Sequence, residues 1–294
     1  MKHLLEQLNI IDGSSVAEIF PRTRDVENLP VYRCQKSGVI FLEEKKENPQ
    51  HYYQNKSNTL EGSYRTIASP LGERKILRNS DAGRRAKQFK HEIAGKVWLD
   101  FGTGNGEIID LLNKDCKKAL AVEPNKIHRE AMQARGIAVY EDMSSIPLNS
   151  MEVITLFHVF EHLTDPIEIL KQLYDRLTAG GTLIIEVPHA NDFLLKTMDL
   201  EAFKQFTFWS EHLILHTRES LHTMVQTQPF HTIHLEGFQR YGLSNHLYWL
   251  RYHQPGGHAH WAHLETPALH EAYQAMLCQI DQTDTLIAVA KKEG

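Results

Sequence analysis

The chain has 294 residues, 41% hydrophobic and 9% aromatic, enough for one large α/β domain with a cap, or two small domains, around an ordinary core. A net charge of −5 supplies no general basic face, which argues against nucleic acid as the main partner. Three widely spaced cysteines, Cys34, Cys116 and Cys278, exclude a disulfide framework and fit a reducing cytoplasm. No basic region followed by an apolar one opens the chain, and no apolar run approaches the ~20 residues of a membrane-spanning helix. The expectation is a cytoplasmic protein without a membrane partner.

The first 62 residues read as a small N-terminal appendage, largely irregular, with two short β-like runs at 31–34 and 38–42 around a Gln-Lys-Ser-Gly turn. A polar, helix-compatible segment runs from about residue 76 to 89. Its basic cluster, Arg84-Arg85-Ala86-Lys87, reads as a solvated helix face. The main domain, residues 63–294, then alternates strands at 97–101, 119–123, 138–140, 153–157 and 182–187 with helices at 106–113, 126–135 and 166–177. Such alternation implies βαβ crossovers and a parallel sheet. Gly180-Gly181 is read as the stop of the last helix. Residues 285–290 form a good final strand, and 231–235 could pair with it. The 239–284 stretch between them, with a helical run at 267–279, reads as a substrate-side insertion or lid.

The strand at 97–101 runs into Gly102-Thr103-Gly104-Asn105-Gly106 and then a helix. Glycines let the backbone turn sharply and let a ligand touch the main chain, and the helix start offers unpaired N–H groups. A dinucleotide fingerprint would need a glycine at position 107, where Glu107 would oppose both pyrophosphate and close helix packing. Asp100, just before the loop, instead suits a ligand with positive charge. Glu123, followed by Pro124, stands about 20 residues on, where an acid accepts ribose hydroxyls. Asp142 and Met143 follow the third strand, placed to meet an adenine amino group and cover its ring.

Taken in order, Asp100-x-Gly102-x-Gly104-x-Gly106, Glu123 and Asp142-Met143 resemble the motifs of class I S-adenosylmethionine (SAM)-dependent methyltransferases. The segments at 157–166 (Phe-His-Val-Phe-Glu-His-Leu-Thr-Asp-Pro) and 177–183 resemble that superfamily's motifs after its fourth strand and before its fifth. The resemblance implies a Rossmann-like α/β fold with a mostly parallel seven-stranded sheet and helices on both faces. It also implies SAM as cofactor, held by Asp100, Phe101, Gly102, Thr103, Gly104, Gly106, Glu123, Pro124, Asp142, Met143 and His158.

Methyl transfer needs a nucleophile in line with the sulfonium and a base to take its proton. One candidate is His158 beside Glu161-His162. Some quinone O-methyltransferases carry two acids and a histidine there and bind a divalent metal, but His158 stands in place of the first acid, and no metal is expected. The other is Glu211-His212, whose context, Phe208-Trp209-Ser210-Glu211-His212, resembles the Tyr-x-Glu-His segment of deoxysugar C-methyltransferases. Phe208 replaces the tyrosine, and related O-methyltransferases keep a similar Glu-His pair. The catalytic candidates are therefore His212, Glu211 and His158. Cys34 alone cannot supply the four ligands of a structural zinc site. His258, His260 and His263 have metal-like spacing without an obvious acid or cysteine partner and read as a chance cluster.

His189, Trp209, Arg240, Tyr241 and Asn245 are the candidate substrate contacts, mixing aromatic faces with hydrogen-bonding groups, as a sugar or other polar cyclic ligand requires. The expected reaction is methylation of a small polar acceptor, a sugar or nucleotide-sugar before others. The alternatives are O-methylation of a quinone or phenol and a non-catalytic scaffold of the same fold. The insertion is also compatible with a homodimer surface.

Overall fold

The computed structural model describes residues 1–43 and 81–294. Helix α1 (Lys2–Gln7) leads into strands β1 (Val16–Phe20), β2 (Val31–Cys34) and β3 (Ile40–Leu42). Helix α2 (Asp81–Ile93) precedes the alternating series β4 (Val97–Phe101), α3 (Glu107–Leu112), β5 (Lys118–Val122), α4 (Lys126–Ala134), β6 (Ala138–Tyr140), β7 (Met151–Phe157), α5 (Pro166–Arg176) and β8 (Leu177–Pro188). Then come α6 (Phe193–Lys196), α7 (Glu201–Thr207), β9 (Ile214–Leu215), α8 (Arg218–Val225) and β10 (Phe230–Phe238). Helices α9 (Leu243–Tyr252), α10 (Gly257–His260) and α11 (Pro267–Gln279) fill the insertion before β11 (Thr285–Lys292).

Seven strands form one sheet in the order β6-β5-β4-β7-β8-β11-β10. β6 to β8 run parallel, with Leu99 beside both Leu120 and Ile154. β11 is antiparallel to β8 and to β10, placing Ala288 beside Ile185 and Leu235. Alternate residues face opposite sides of the sheet, so each strand feeds two cores. Leu99, Ile154 and Ile185 pack with Leu170 and Leu173 of α5 and with Leu221 and Met224 of α8. Trp98, Val153 and Ile184 pack with Phe89 and Ile93 of α2 and Ile109 of α3. Because both faces are covered, the central strands read as nearly continuous apolar runs.

The N-terminal segment carries more order than its sequence suggests, with α1 and β1 as additional elements. β1, β2 and β3 make a second sheet closed by β9, from residues far along the chain. Met1, Leu5, Val39 and Phe41 join the main domain's core. Part of the expected 76–89 helix and the 62/63 boundary fall outside the described residues.

Two readings need correction. Leu177 is already strand, paired with Met151, so Gly180-Gly181 does not end α5. The pair sits in a bulge between Leu177 and Thr182, Gly180 at φ 72°, and Gly181 lies too close to the Thr178 carbonyl for a side chain. The cluster at Arg84-Arg85 is likewise no solvated face. Both guanidiniums turn inward onto the fully buried Glu186 of β8, and only Lys87 is exposed. A partner 100 residues away leaves no trace in local composition.

Candidate functional site

A cavity of about 1100 Å³ opens at the carboxyl ends of the parallel strands, running from the glycine loop to the insertion. One end is formed by the loop after β4. Gly102, Gly104 and Gly106 all adopt left-handed backbone, at φ 73°, 58° and 75°. A Cβ on Gly102 would lie 2.5 Å from a Val159 methyl, whereas one on Gly104 would meet nothing within 4 Å, because that face opens onto the cavity.

Glu123, at the end of β5, secures this loop. Its Oε2 accepts the Gly104 N–H at 2.8 Å and its Oε1 accepts the Asn125 N–H at 2.9 Å, while burial raises its pKa. The Pro124 carbonyl accepts Arg129 Nη1 at 2.6 Å. Asp100, 3% exposed, also borders the cavity. Trp98 Nε1 donates to Thr155 Oγ1 at 2.9 Å, and Thr155 donates on to Asp100 Oδ1 at 2.6 Å. Burial pushes the Asp100 carboxyl up to about 6, against the lowering effect of that hydrogen bond. Phe101 packs against the core. Asp142 caps the short turn at Met143–Ser145 through the Ser144 N–H at 2.8 Å, and Met143 is buried in the core with its carbonyl on Arg176. Neither Glu123, Asp142 nor Met143 is among the cavity-lining residues.

SAM fits this half on the structure's own terms. The loop leaves open space where a Cβ on Gly104 would stand, and Asp100 offers a carboxylate to a cation. Among the described residues, His128 Nδ1, a buried polar atom of a cavity-lining residue, has no partner. Such an atom costs about 1–3 kcal/mol unless a ligand or water meets it.

The other half gathers distant segments. His158, His189, Trp209, His212, Arg240, Tyr241 and Asn245 all line it. Sequence reasoning missed Arg24, whose guanidinium lies 4.4 Å from the Trp209 ring centroid, and the wall of Phe203, Phe206 and Trp249. It also missed Asp192, which burial and the Asp284 charge push up to about 8. No local pattern marks any of these as site residues.

Beneath this half lies a network of buried charge. Glu186 takes Arg84 at 2.8 and 3.0 Å and Arg85 at 2.7 and 3.0 Å. His158, in left-handed backbone at φ 55°, has Nε2 at 3.2 Å from Arg240 Nη1 and 3.3 Å from Glu186 Oε1, and its Nδ1 donates to Glu161 Oε1 at 3.1 Å. Both ring nitrogens of His158 are thus engaged. Arg240 also reaches Asp284 at 3.4 Å and Asp81 at 3.5 Å, and these carboxylates, outweighing burial, raise its pKa. That charge is balanced within the protein, which limits what Arg240 offers a phosphate. His189 Nδ1 donates to the Thr283 carbonyl at 3.0 Å.

His212 has a different environment. Burial first, then His162 and His158, push its imidazole down to about 3, so it is neutral at physiological pH. Its Nδ1 is buried without a partner among the described residues. Its sequence neighbour Glu211 does not line the cavity, and the Glu211 carbonyl accepts His162 Nδ1 at 2.8 Å. Among the described residues, Glu161, His162 and His212 form the one group of candidate metal ligands whose atoms lie within 4.8 Å of one another. His258 and His260 instead contact Tyr241 and Tyr248, at ring separations of 5.3 and 5.5 Å.

Comparisons with known proteins bear on the family and the fold. Residues 74–235 match the model of the methyltransferase domain family. A tRNA U34 carboxymethyltransferase of Dichelobacter nodosus is 27% identical over 103 residues, 32% of this chain and 33% of that protein. A "Probable S-adenosylmethionine-dependent methyltransferase" of Mycolicibacterium smegmatis is 25% identical over 112 residues, 36% of this chain and 44% of its own. The chain therefore spans less than half the length of these curated relatives. A SAM-dependent methyltransferase from Archaeoglobus fulgidus superposes with a TM-score of 0.51 at 14% identity, over 76% of this chain and all of the other, a likeness of fold. Among the described residues no helix is long and apolar enough to cross a membrane.

Proposed function

The chain belongs to the methyltransferase domain family of SAM-dependent enzymes, and we propose that it moves a methyl group from SAM to a small polar acceptor, a sugar or nucleotide-sugar before others. The observation that carries this reading is the single cavity joining the Gly102–Gly106 loop to a wall of aromatic and hydrogen-bonding side chains. When bound, SAM supplies an electrophilic methyl group. The loop and Asp100 orient it, with His128 available to its polar groups. Trp209, Tyr241 and Asn245 hold the acceptor against that methyl, and positioning two reactants this way removes much of the entropic barrier. His212, neutral and on the acceptor side, takes the acceptor's proton as the new bond forms.

The tRNA-modifying relative matches this chain over only 103 residues, and the chain's charge of −5 speaks against a polyanionic acceptor. Calorimetric titration with SAM and S-adenosylhomocysteine tests the cofactor half, and absence of binding ends the proposal. Release of S-adenosylhomocysteine across panels of nucleotide-sugars, free sugars and phenols tests the acceptor. Turnover confined to phenols, with a magnesium requirement, would move the assignment to the quinone and phenol branch. Cofactor binding without turnover on any panel would favour a scaffold role.

A further inference from the structure

Glu161 lies on the short turn Phe160–His162 after β7 and is fully buried. A buried carboxylate must find hydrogen-bond donors or opposite charge, because its water is gone. Its Oε1 takes the His158 Nδ1 proton at 3.1 Å and lies 3.7 Å from His162 Nε2. Its Oε2 is buried and has no partner among the described residues. Nearby is a second such atom, His212 Nδ1. The two segments are fixed relative to each other by backbone and side chain: the Leu213 N–H donates to the Glu161 carbonyl at 2.9 Å, and His162 Nδ1 donates to the Glu211 carbonyl. One carboxylate oxygen of Glu161 and one ring nitrogen each of His162 and His212 lie within 4.8 Å of one another. One water with two ordinary hydrogen bonds spans about 4.6 Å, so a separation of this size between the Glu161 carboxylate and the His212 ring is one that a single water or a slight closure bridges.

We propose that Glu161, and not its sequence neighbour Glu211, is the positioning residue of His212, its carboxylate receiving the Nδ1 proton directly or through one water. The inference rests on His212 as the base of the proposed reaction. Fixing hydrogen on Nδ1 leaves the Nε2 lone pair as the ring's basic site, and His212 lines the cavity. In the transfer, the acceptor's bond to hydrogen breaks as its bond to the methyl carbon forms, and Nε2 takes that proton. The imidazolium then lies against the Glu161 carboxylate, which stays ionised and stabilises it, as the buried acid does in hydrolase triads. The proton passes afterwards to solvent.

The test is ring nitrogen-15 NMR of the protein saturated with S-adenosylhomocysteine at neutral pH, His212 being assigned by loss of its signal in His212→Asn. The expected result is a neutral His212 with hydrogen on Nδ1. In Glu161→Gln the hydrogen moves to Nε2 because the new amide donates toward Nδ1, while S-adenosylhomocysteine affinity holds, since Glu161 does not line the cavity. Glu211→Gln leaves the tautomer as it was. Hydrogen on Nε2 in the wild type, or an unchanged tautomer in a folded Glu161→Gln, overturns the proposal. So does one-to-one binding of Mn²⁺ or Zn²⁺ that Glu161→Gln abolishes, which would make the three residues a cation site. If Glu161→Gln does not fold, the wild-type tautomer together with Glu211→Gln decides. Wild-type turnover in His212→Asn, with the tautomer as stated, would sink the base assignment and leave the positioning role standing.

Discussion

The two halves of the cavity are built in different ways. The proposed cofactor half comes mainly from one short run of chain, Asp100 to Gly106, secured by Glu123 at the end of the adjacent strand. The proposed acceptor half draws on Arg24, His158, His189, Trp209, His212 and Arg240, spread over more than 200 positions of the chain. A ligand held by main-chain geometry needs residues in fixed order, because backbone turns are local. A ligand held by side chains needs only that they meet in space, so these can come from anywhere and can differ between relatives.

The largest expected effect falls on the local half. Gly102→Val would force a side chain into Val159 from a left-handed backbone, and S-adenosylhomocysteine binding should be lost in calorimetry. Gly104→Ala is the milder counterpart, since its methyl meets no protein atom. It should cost about 1–2 kcal/mol of backbone strain yet still fold, with weakened cofactor binding because the methyl enters the cavity. Equal effects of the two would break the distinction between a packed and an open loop face.

Next is the charge network under the acceptor half. Glu186→Leu leaves Arg84 and Arg85 without their buried acid, and denaturant unfolding should show a loss of about 3–5 kcal/mol. A loss below about 1 kcal/mol would mean that water reaches the arginines.

Acidity separates the halves further. Burial holds His189, His216 and His246 down to about 4 and His212 to about 3. A folded-state pKa below the unfolded one means the unfolded chain binds more protons, so this stability is complete above the unfolded value of about 6.5 and is lost as pH falls toward 4. The unfolding free energy from denaturant titration should drop by about 1.4 kcal/mol per pH unit for each histidine that titrates only on unfolding. On the cofactor side, Asp100 is protonated below about 6. The positive sulfonium favours the carboxylate, so preference for SAM over S-adenosylhomocysteine should shrink as pH falls through that value. A preference independent of pH would remove Asp100 from the sulfonium's surroundings.

The smallest effect is expected from Arg24→Ala, which removes the guanidinium over Trp209. A partly exposed cation–π contact is worth about 0.5–1 kcal/mol, so acceptor KM should rise a few-fold with cofactor affinity unchanged. A matching loss of cofactor affinity would show that the halves are not separable.

Much of the fold was legible because its signals are local. The strands at 97–101 and 138–140 and the helix at 267–279 stand where their apolar patterns and breakers put them. The antiparallel partner of the final strand was readable from β-propensity alone. Gly180-Gly181 misled because a helix-ending glycine and a bulge glycine look alike until the neighbouring register is known. Arg84-Arg85 misled because a solvated helix face and a buried ion pair share one local composition.

The same boundary runs through the site. The amino-acid order by itself determined the sharp turn of the glycine loop after its strand, since such a turn acts through backbone conformation and short separations. Glu123, read as a ribose acceptor, holds the Gly104 and Asn125 N–H groups instead. Which acid faces which histidine was decided only in three dimensions. Along the chain His212 stands next to Glu211, but the β3–β9 pairing and the turn after β7 bring it to Glu161, 51 positions earlier. Side-chain neighbours across a sheet edge are fixed by topology and packing, and adjacency in sequence carries little information about them.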